Sequence, residues 1–377
     1  MKIVIAPDAF KESLAAPAVA RAIAAGFAQV LPQAQYLLRP LADGGEGTVE
    51  ALVAASGGEL REAVVTGPLG EPVTAVFGLL GGGRCAVMEM AAASGLPLVP
   101  LARRNPLLTT SYGTGELIRQ ALDLGVSRLI LGIGGSATND GGAGLIQALG
   151  GRLLDDEGAS LGPGGGALAD LASIDLSGLD PRLATLDLQV ACDVDNPLCG
   201  PQGASQVFGP QKGATPEMVA QLDANLAHYA ACIGSQLGRE VTLLPGAGAA
   251  GGMGAALAGL LGAQLTPGIE LVLQALEMDE VLEGADLVIT GEGRLDGQTL
   301  YGKVPLGVAR LARAKGVPVI ALAGCLGPGH QALYAEGIAA LFAIVDRPME
   351  LAEALLCAEE NLRRTARNLA AVWALGR

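Results

Sequence analysis

One local pattern recurs along the chain: a short apolar run ends in a loop of acids and glycines, and helical periodicity follows. Lys2 to Asp8 (KIVIAPD) reads as a buried strand that enters a proline-marked polar loop. Leu14, Val19, Ile23, Phe27 and Val30 then recur at helical spacing, with Ser13 or Pro17 available to start the helix. Leu37–Leu41 leads into Asp43-Gly44-Gly45-Glu46-Gly47-Thr48, Cys85–Met90 into Ser94-Gly95, and Arg128–Ile133 into the Gly134–Gly142 loop. Leu188–Ala191 leads into Asp193-Val194-Asp195-Asn196, and Asp286–Thr290 into Gly291-Glu292-Gly293-Arg294-Leu295-Asp296. Strands alternating with helices predict an α/β fold with mostly parallel sheets, in which ligands sit beyond the carboxyl ends of the strands. The chemistry is therefore expected in these loops.

At 377 residues the chain exceeds the size at which one hydrophobic core stops growing, so two domains are expected. Val64–Leu80, with Gly67-Pro68-Leu69-Gly70 in its middle, reads as a hairpin where the chain leaves one domain for the next. The expectation is a discontinuous α/β domain of residues 1–75 and 286–377, with a Rossmann- or flavodoxin-like sheet, and an inserted α/β domain of residues 76–285. The active site is expected in the cleft between them. In the tail, Leu351, Leu355, Leu362, Leu369 and Val372 fall on one helical stripe with Arg363, Arg364 and Arg367 off it, which reads as an amphipathic helix packed on the sheet.

Half the residues are apolar and 16% are charged, which excludes a disordered chain. The 56 glycines cluster between apolar runs without a fixed period, so they mark tight turns and close backbone approaches, and a collagen-like fold is excluded. A net charge of −14 opposes attraction to nucleic acid or an anionic membrane, but leaves nucleotide binding open where glycines, lysines and a metal offset phosphate charge. The six cysteines are widely spaced and read as buried thiols, and His228 and His330 are too isolated for a histidine-based zinc site. The first residues form a strand and lack a signal-peptide layout, and no uncharged run of membrane-spanning character follows, so a cytoplasmic location is expected.

Gly134-Gly135-Ser136-Ala137-Thr138-Asn139-Asp140-Gly141-Gly142 is the densest signal. Its glycines can present N–H groups to an anion, its hydroxyls add donors, and Asp140 can hold magnesium or orient a hydroxyl; the same glycines also suit a tight structural turn. It is neither a Gly-Lys-Ser/Thr phosphate loop nor a dinucleotide fingerprint. Asp43 and Glu46 can bind a cation or ligand hydroxyls, or form a capping turn. Glu292 and Asp296 suit magnesium and Lys303, beside Tyr301, suits a transferred phosphate, while Arg294 suits a surface ion pair. Asp8 with Lys11, Asp193 with Asn196, and Lys212 in Phe208-Gly209-Pro210-Gln211-Lys212-Gly213 are further candidates. Ser111 and Thr114 either cap a helix or bind an anion at its start.

Taken together, these loops resemble the type-I glycerate kinase family nearly end to end, through Pro7–Leu14, Ala42–Thr48, Ser111–Ile118, Gly134–Gly142, Ala191–Leu198, Phe208–Gly213, Pro245–Gly252 and Thr290–Asp296. The family commonly shows Ser and Gly where this chain has Ala9 and Glu12. The resemblance implies a two-domain α/β enzyme that transfers the γ-phosphoryl group of ATP to D-glycerate with Mg2+, giving 2-phosphoglycerate in most members and 3-phosphoglycerate in older descriptions. In that reading Asp193 is the first choice for proton acceptor and Asp8 the second, supported by Lys11 and Lys303. Asp43, Glu292 and Asp296 fall on the magnesium and substrate-hydroxyl side. Gly134, Gly135, Ser136, Asn139, Asp140, Ser111, Thr114, Asn196 and Lys212 are expected to contact phosphate or substrate. The rival readings are a metal-assisted phosphatase of small phosphorylated acids and a noncatalytic nucleotide or sugar-acid binding protein. The expected partner is the small molecule, with no nucleic acid or membrane partner, and the sequence leaves the oligomeric state open.

Overall fold

A computed structural model describes residues 1–300 and 302–376. The strands are β1 (Lys2–Ile5), β2 (Gln35–Leu38), β3 (Glu59–Thr66), β4 (Pro72–Leu79), β5 (Cys85–Glu89), β6 (Arg128–Gly132), β7 (Arg152–Leu154), β8 (Ser173–Asp175), β9 (Asp187–Ala191), β10 (Gln264–Thr266), β11 (Leu287–Leu295), β12 (Val319–Leu326) and β13 (Ile338–Ala343). The chain divides into two compact units: unit 1 comprises Met1–Asp43, Gly47–Glu59 and Pro267–Arg377, and unit 2 comprises Gly44–Glu46 and Leu60–Thr266. The sequence reading drew the limits at 75/76 and 285/286. In the structure β3 and β4 both belong to the sheet of unit 2, and the helix Gly268–Ala275 packs in unit 1, where Gly307 lies against its Ile269.

Unit 1 carries a five-stranded sheet in the order β13-β12-β11-β1-β2, with every pairing parallel. Taken in chain order these strands lie 2-1-3-4-5, the flavodoxin-like arrangement, whose switch point falls between β1 and β11. Its core joins Ile3, Ile5, Ile23, Phe27, Ile289 and Leu322 to Leu362 and Leu369 of the C-terminal helix. The first helix spans Ala16–Ala28, so Pro17 in its first turn and not Ser13 marks its start. A Cβ on Gly26 would lie 2.3 Å from the Arg363 carbonyl oxygen, so this glycine lets the first and last helices meet closely.

Two sequence expectations change here. The polar run after Thr290 is not a loop: β11 continues through Gly291-Glu292-Gly293-Arg294 to Leu295, in register with Leu322–Leu326 of β12. The glycines hid the strand, yet they are why it can form: a Cβ on Gly291 would sit 2.1 Å from the Leu322 carbonyl oxygen. The tail is two helices, Leu351–Leu356 and Ala358–Leu375, broken at Cys357. Leu362 and Leu369 are buried as expected, whereas Leu351 and Val372 are exposed and Leu355 belongs to the shorter helix.

Unit 2 carries a six-stranded sheet in the order β10-β9-β6-β5-β4-β3. β5, β6, β9 and β10 are parallel, β4 runs antiparallel to β5, and a small antiparallel pair, β7-β8, stands apart. Gly67 donates to the Glu71 carbonyl at 2.7 Å and closes the expected hairpin. Helix Tyr112–Asp123 buries Leu117, Ile118, Ala121 and Leu122 in the core of this unit. Among the described residues no cysteine is disulfide-bonded; Cys232 is buried and Cys325 exposed, so the expectation of uniformly buried thiols does not hold. No helix of the described residues is long and apolar enough to cross a membrane.

Candidate active site

The carboxyl ends of β1, β2 and β11 open into a cavity of about 400 Å³ lined by Asp8, Lys11, Asp43, Glu292 and Lys303, at the switch point of the sheet in unit 1. The loop after β1 is built to hold Asp8 there. Its N–H donates to the Gly291 carbonyl at 2.8 Å, and Phe10 and Leu14 exchange backbone hydrogen bonds at 2.8 and 2.9 Å with the Phe10 ring in the core. Closing so tight a turn puts Glu12 at φ +62°, in the left-handed region. Glycine adopts this region without strain, so Glu12 is a strained residue on the loop that carries Asp8. The Ser13 hydroxyl donates to the Leu355 carbonyl at 2.6 Å and ties the loop to the helix Leu351–Leu356.

Three carboxylates, Asp8, Asp43 and Glu292, line the cavity within reach of one another's charge. Burial, followed by the charge of Asp43, pushes Asp8 up to about 7, although its Oδ1 accepts the Ala9 N–H at 2.6 Å. Burial also raises Glu292 above the ordinary carboxylate range. The Glu292 Oε1 accepts the Thr299 hydroxyl at 2.7 Å and its Oε2 lies 3.3 Å from Lys303 Nζ. Asp296 is placed differently: its Oδ1 accepts the Gln298 N–H and its Oδ2 the Arg294 Nε–H, both at 2.8 Å, and it does not line the cavity. The backbone bond from Gln298, then Arg294, holds its pKa below the usual value, so Asp296 shapes the turn that carries Thr299. Among the described residues no three His, Cys, Asp or Glu side chains are placed to chelate a metal by themselves.

In unit 2, Gly134 and Gly135 are exposed at the end of β6, with Gly135 at φ +72°, and everything from Ser136 to Asp140 is buried. Asp140 accepts the N–H and hydroxyl of Ser111, both at 2.8 Å, and the N–H groups of Gly142 and Gly144 at 3.1 and 3.3 Å. The Ser111 hydroxyl in turn accepts the Leu145 N–H at 3.0 Å. Burial raises the Asp140 pKa against these bonds. Asp140 and Ser111, expected at the ligand, are occupied in tying two helix starts to the glycine loop. Thr114 is sealed in the core against the Ser94 hydroxyl at 2.9 Å, and Asn139 donates to the Ser205 hydroxyl at 2.9 Å.

Lys212 is almost wholly buried beneath this loop and donates to the Ser136 hydroxyl and the Thr138 carbonyl, both at 2.7 Å. Burial drives its ammonium down to about 7. Asp193 is exposed on the loop after β9, and Asn196 donates to the Gln202 carbonyl at 2.8 Å. Tyr301 lies outside the described residues. Sequence reasoning did not single out Thr299, which the signal of a hydroxyl three residues after Asp296 could have raised. Nor did it find the apolar cavity lining at Ile344, Val345, Leu351 and Ala354, where no polar motif draws attention.

The family model described as the glycerate kinase family matches residues 3–374. The chain is 59% identical to a glycerate kinase of Bacillus subtilis (strain 168), covering 98% of this chain and 97% of that one. It is 56% identical to the glycerate 2-kinase of Escherichia coli (strain K12), covering 100% and 99%. A crystal structure from Salmonella typhimurium LT2, provisionally assigned as glycerate kinase 2, superposes with a TM-score of 0.92 at 57% identity, covering 100% of this chain and 99% of that one. The chain therefore belongs to the glycerate kinase family.

Proposed function

We propose that the chain transfers the γ-phosphoryl group of ATP to D-glycerate and forms 2-phosphoglycerate. The observation that carries this reading is the group of Asp8, Asp43 and Glu292 with Lys303 at the switch point of a parallel sheet, joined to family membership. The 2-position is supported by the name of the Escherichia coli relative, a glycerate 2-kinase.

Asp8 acts as proton acceptor for the substrate hydroxyl. Burial, the largest cause of its raised pKa, lets it take a proton near neutrality, and this buried position favours it over the exposed Asp193. Lys303 neutralises charge on the transferring phosphoryl oxygens, with Lys11 also on the cavity lining. Asp43 and Glu292 are the residues that would hold Mg2+. Their charges raise Asp8, a repulsion that a cation relieves, and magnesium binds through one or two carboxylates plus phosphate oxygens without an all-protein cage. When bound, the ion offsets negative charge on the phosphates. The exposed Gly134-Gly135 turn of unit 2 supplies backbone donors to an anion, braced from beneath by Lys212 and Ser136.

The test is incubation with ATP, Mg2+ and D-glycerate, read by ADP formation and phosphorus NMR. Glycerate-dependent ADP with a 2-phosphoglycerate resonance supports the reading. Phosphate release from phosphoglycerate without nucleotide would support a phosphatase instead, and nucleotide binding without turnover a noncatalytic protein.

A further inference from the structure

We infer that the cavity of unit 1 is a nucleotide site with a dedicated base subsite, in which a purine lies against Ile344, Val345, Leu351, Ala354 and Leu355 while the phosphates reach Lys303; this rests on the kinase reading above. The cavity is chemically divided along the sheet. Its ionisable lining comes from β11, from the segments after β1 and β2, and from Lys303 at the start of the helix Val304–Ala314, whereas Ile344 and Val345 follow the edge strand β13 and Leu351, Ala354 and Leu355 come from the helix Leu351–Leu356. Two hydrogen bonds hold this wall in place: Ile344 N–H to the Ala323 carbonyl at 2.8 Å, and the Ser13 hydroxyl to the Leu355 carbonyl.

The dimensions and polarity select between the two substrates of a glycerate kinase. From β1 to β13 is three strand steps, roughly 14 Å at the usual spacing, the reach of an extended nucleoside triphosphate and far more than a three-carbon acid needs. Every carbon of glycerate carries oxygen, so an aliphatic wall gives it no partner and would strip its hydration without return. A flat, largely apolar base gains by lying on such a wall, and a pocket of about 400 Å³ falls in the range of ligand sites of that size. Gly324 and Cys325 at the end of β12 also line the cavity, which leaves the exposed Cys325 thiol as a native reporter beside the base.

The experiment uses the full chain and calorimetric titration with MgATP and with magnesium tripolyphosphate. The wild type should bind MgATP at least roughly ten-fold more tightly than tripolyphosphate, and Ala354→Trp, on a half-exposed helical position, should abolish most of that difference. KM for ATP should rise about ten-fold while KM for glycerate stays within about three-fold. In the unmodified chain, adenosine should slow N-ethylmaleimide labelling of Cys325, read by peptide mass spectrometry, and tripolyphosphate should not. Unchanged MgATP affinity in folded Ala354→Trp, or a raised glycerate KM in its place, overturns the base subsite and leaves the kinase reading standing. A misfolded variant leaves the decision to the labelling, where absence of adenosine protection overturns the subsite. No binding of MgATP by the wild type overturns both.

Discussion

Lys303 Nζ lies 3.3 Å from Glu292 Oε2, and the other oxygen of that carboxylate is taken by the Thr299 hydroxyl. The lysine is thus held at the cavity lining by an acid from the middle of a strand. Lys303→Met keeps the stem and removes the charge. We expect kcat to fall about 10²-fold or more and stability to fall by about 1–3 kcal/mol, since Lys303 is partly exposed but Glu292 is buried and loses its cation. Steady-state kinetics with a urea melt checks both, and a change in stability alone would make the lysine structural.

Glu12 sits at φ +62° on the loop that carries Asp8. Its side chain is exposed, so the conformational strain is the main term. Glu12→Gly should raise stability by about 1 kcal/mol, the relief of left-handed strain exceeding the added freedom of the unfolded chain. A urea midpoint shifted upward with an unchanged slope is the expected result, and a downward shift would contradict it.

Asp140 is wholly buried and accepts four hydrogen bonds from Ser111, Gly142 and Gly144. An amide in its place turns an acceptor toward these donors into a donor. Asp140→Asn should therefore cost about 2–4 kcal/mol of stability, with kcat of the folded fraction within about three-fold of wild type. Loss of turnover at full stability would restore Asp140 to the ligand site.

The sequence displayed the order of strand ends clearly, because an apolar run followed by acids and glycines has few other meanings. Asp8 and Asp43 were legible as loop acids for that reason, whereas Glu292, expected in a loop, lies within β11. What stayed hidden was the direction of hydrogen bonding. Nothing in Gly134–Gly142 distinguishes an acid that faces a ligand from one turned inward, and only the folded loop shows that Asp140 serves Ser111. The same holds for Lys212, a residue type that is normally exposed. The strand through Gly291–Leu295 was masked because its glycines answer a neighbouring backbone, a tertiary fact. The apolar cavity wall read as ordinary helix stripe, since packing against a core and packing against a ligand ask for the same residues.

Lys212 gives the stability a pH dependence. Its folded pKa is about 7 against an ordinary 10.5, so between those values the unfolded chain holds the proton and the folded chain does not. Stability from this group therefore rises with pH from about 7 to about 10.5, and the cost of the buried charge is fully present below pH 7. Over that whole window the rise is on the order of 5 kcal/mol. Lys212→Met should flatten it, as read by urea melts from pH 6.5 to 9.5 in both proteins. Parallel curves would show that the buried ammonium stays charged.

The most direct test of the account is kcat for Asp8→Asn, measured with saturating ATP, Mg2+ and D-glycerate beside Asp193→Asn. Asp8 resists ionisation in the fold, so its stabilising contribution is present at acid pH and lost as pH rises through about 7. The amide should accordingly be at least as stable as wild type at pH 8, which removes unfolding as an explanation for lost activity. The account predicts that Asp8→Asn lowers kcat about 10²–10⁴-fold while MgATP still binds, and that Asp193→Asn has the smaller effect. A kcat for Asp8→Asn within a few-fold of wild type would contradict it.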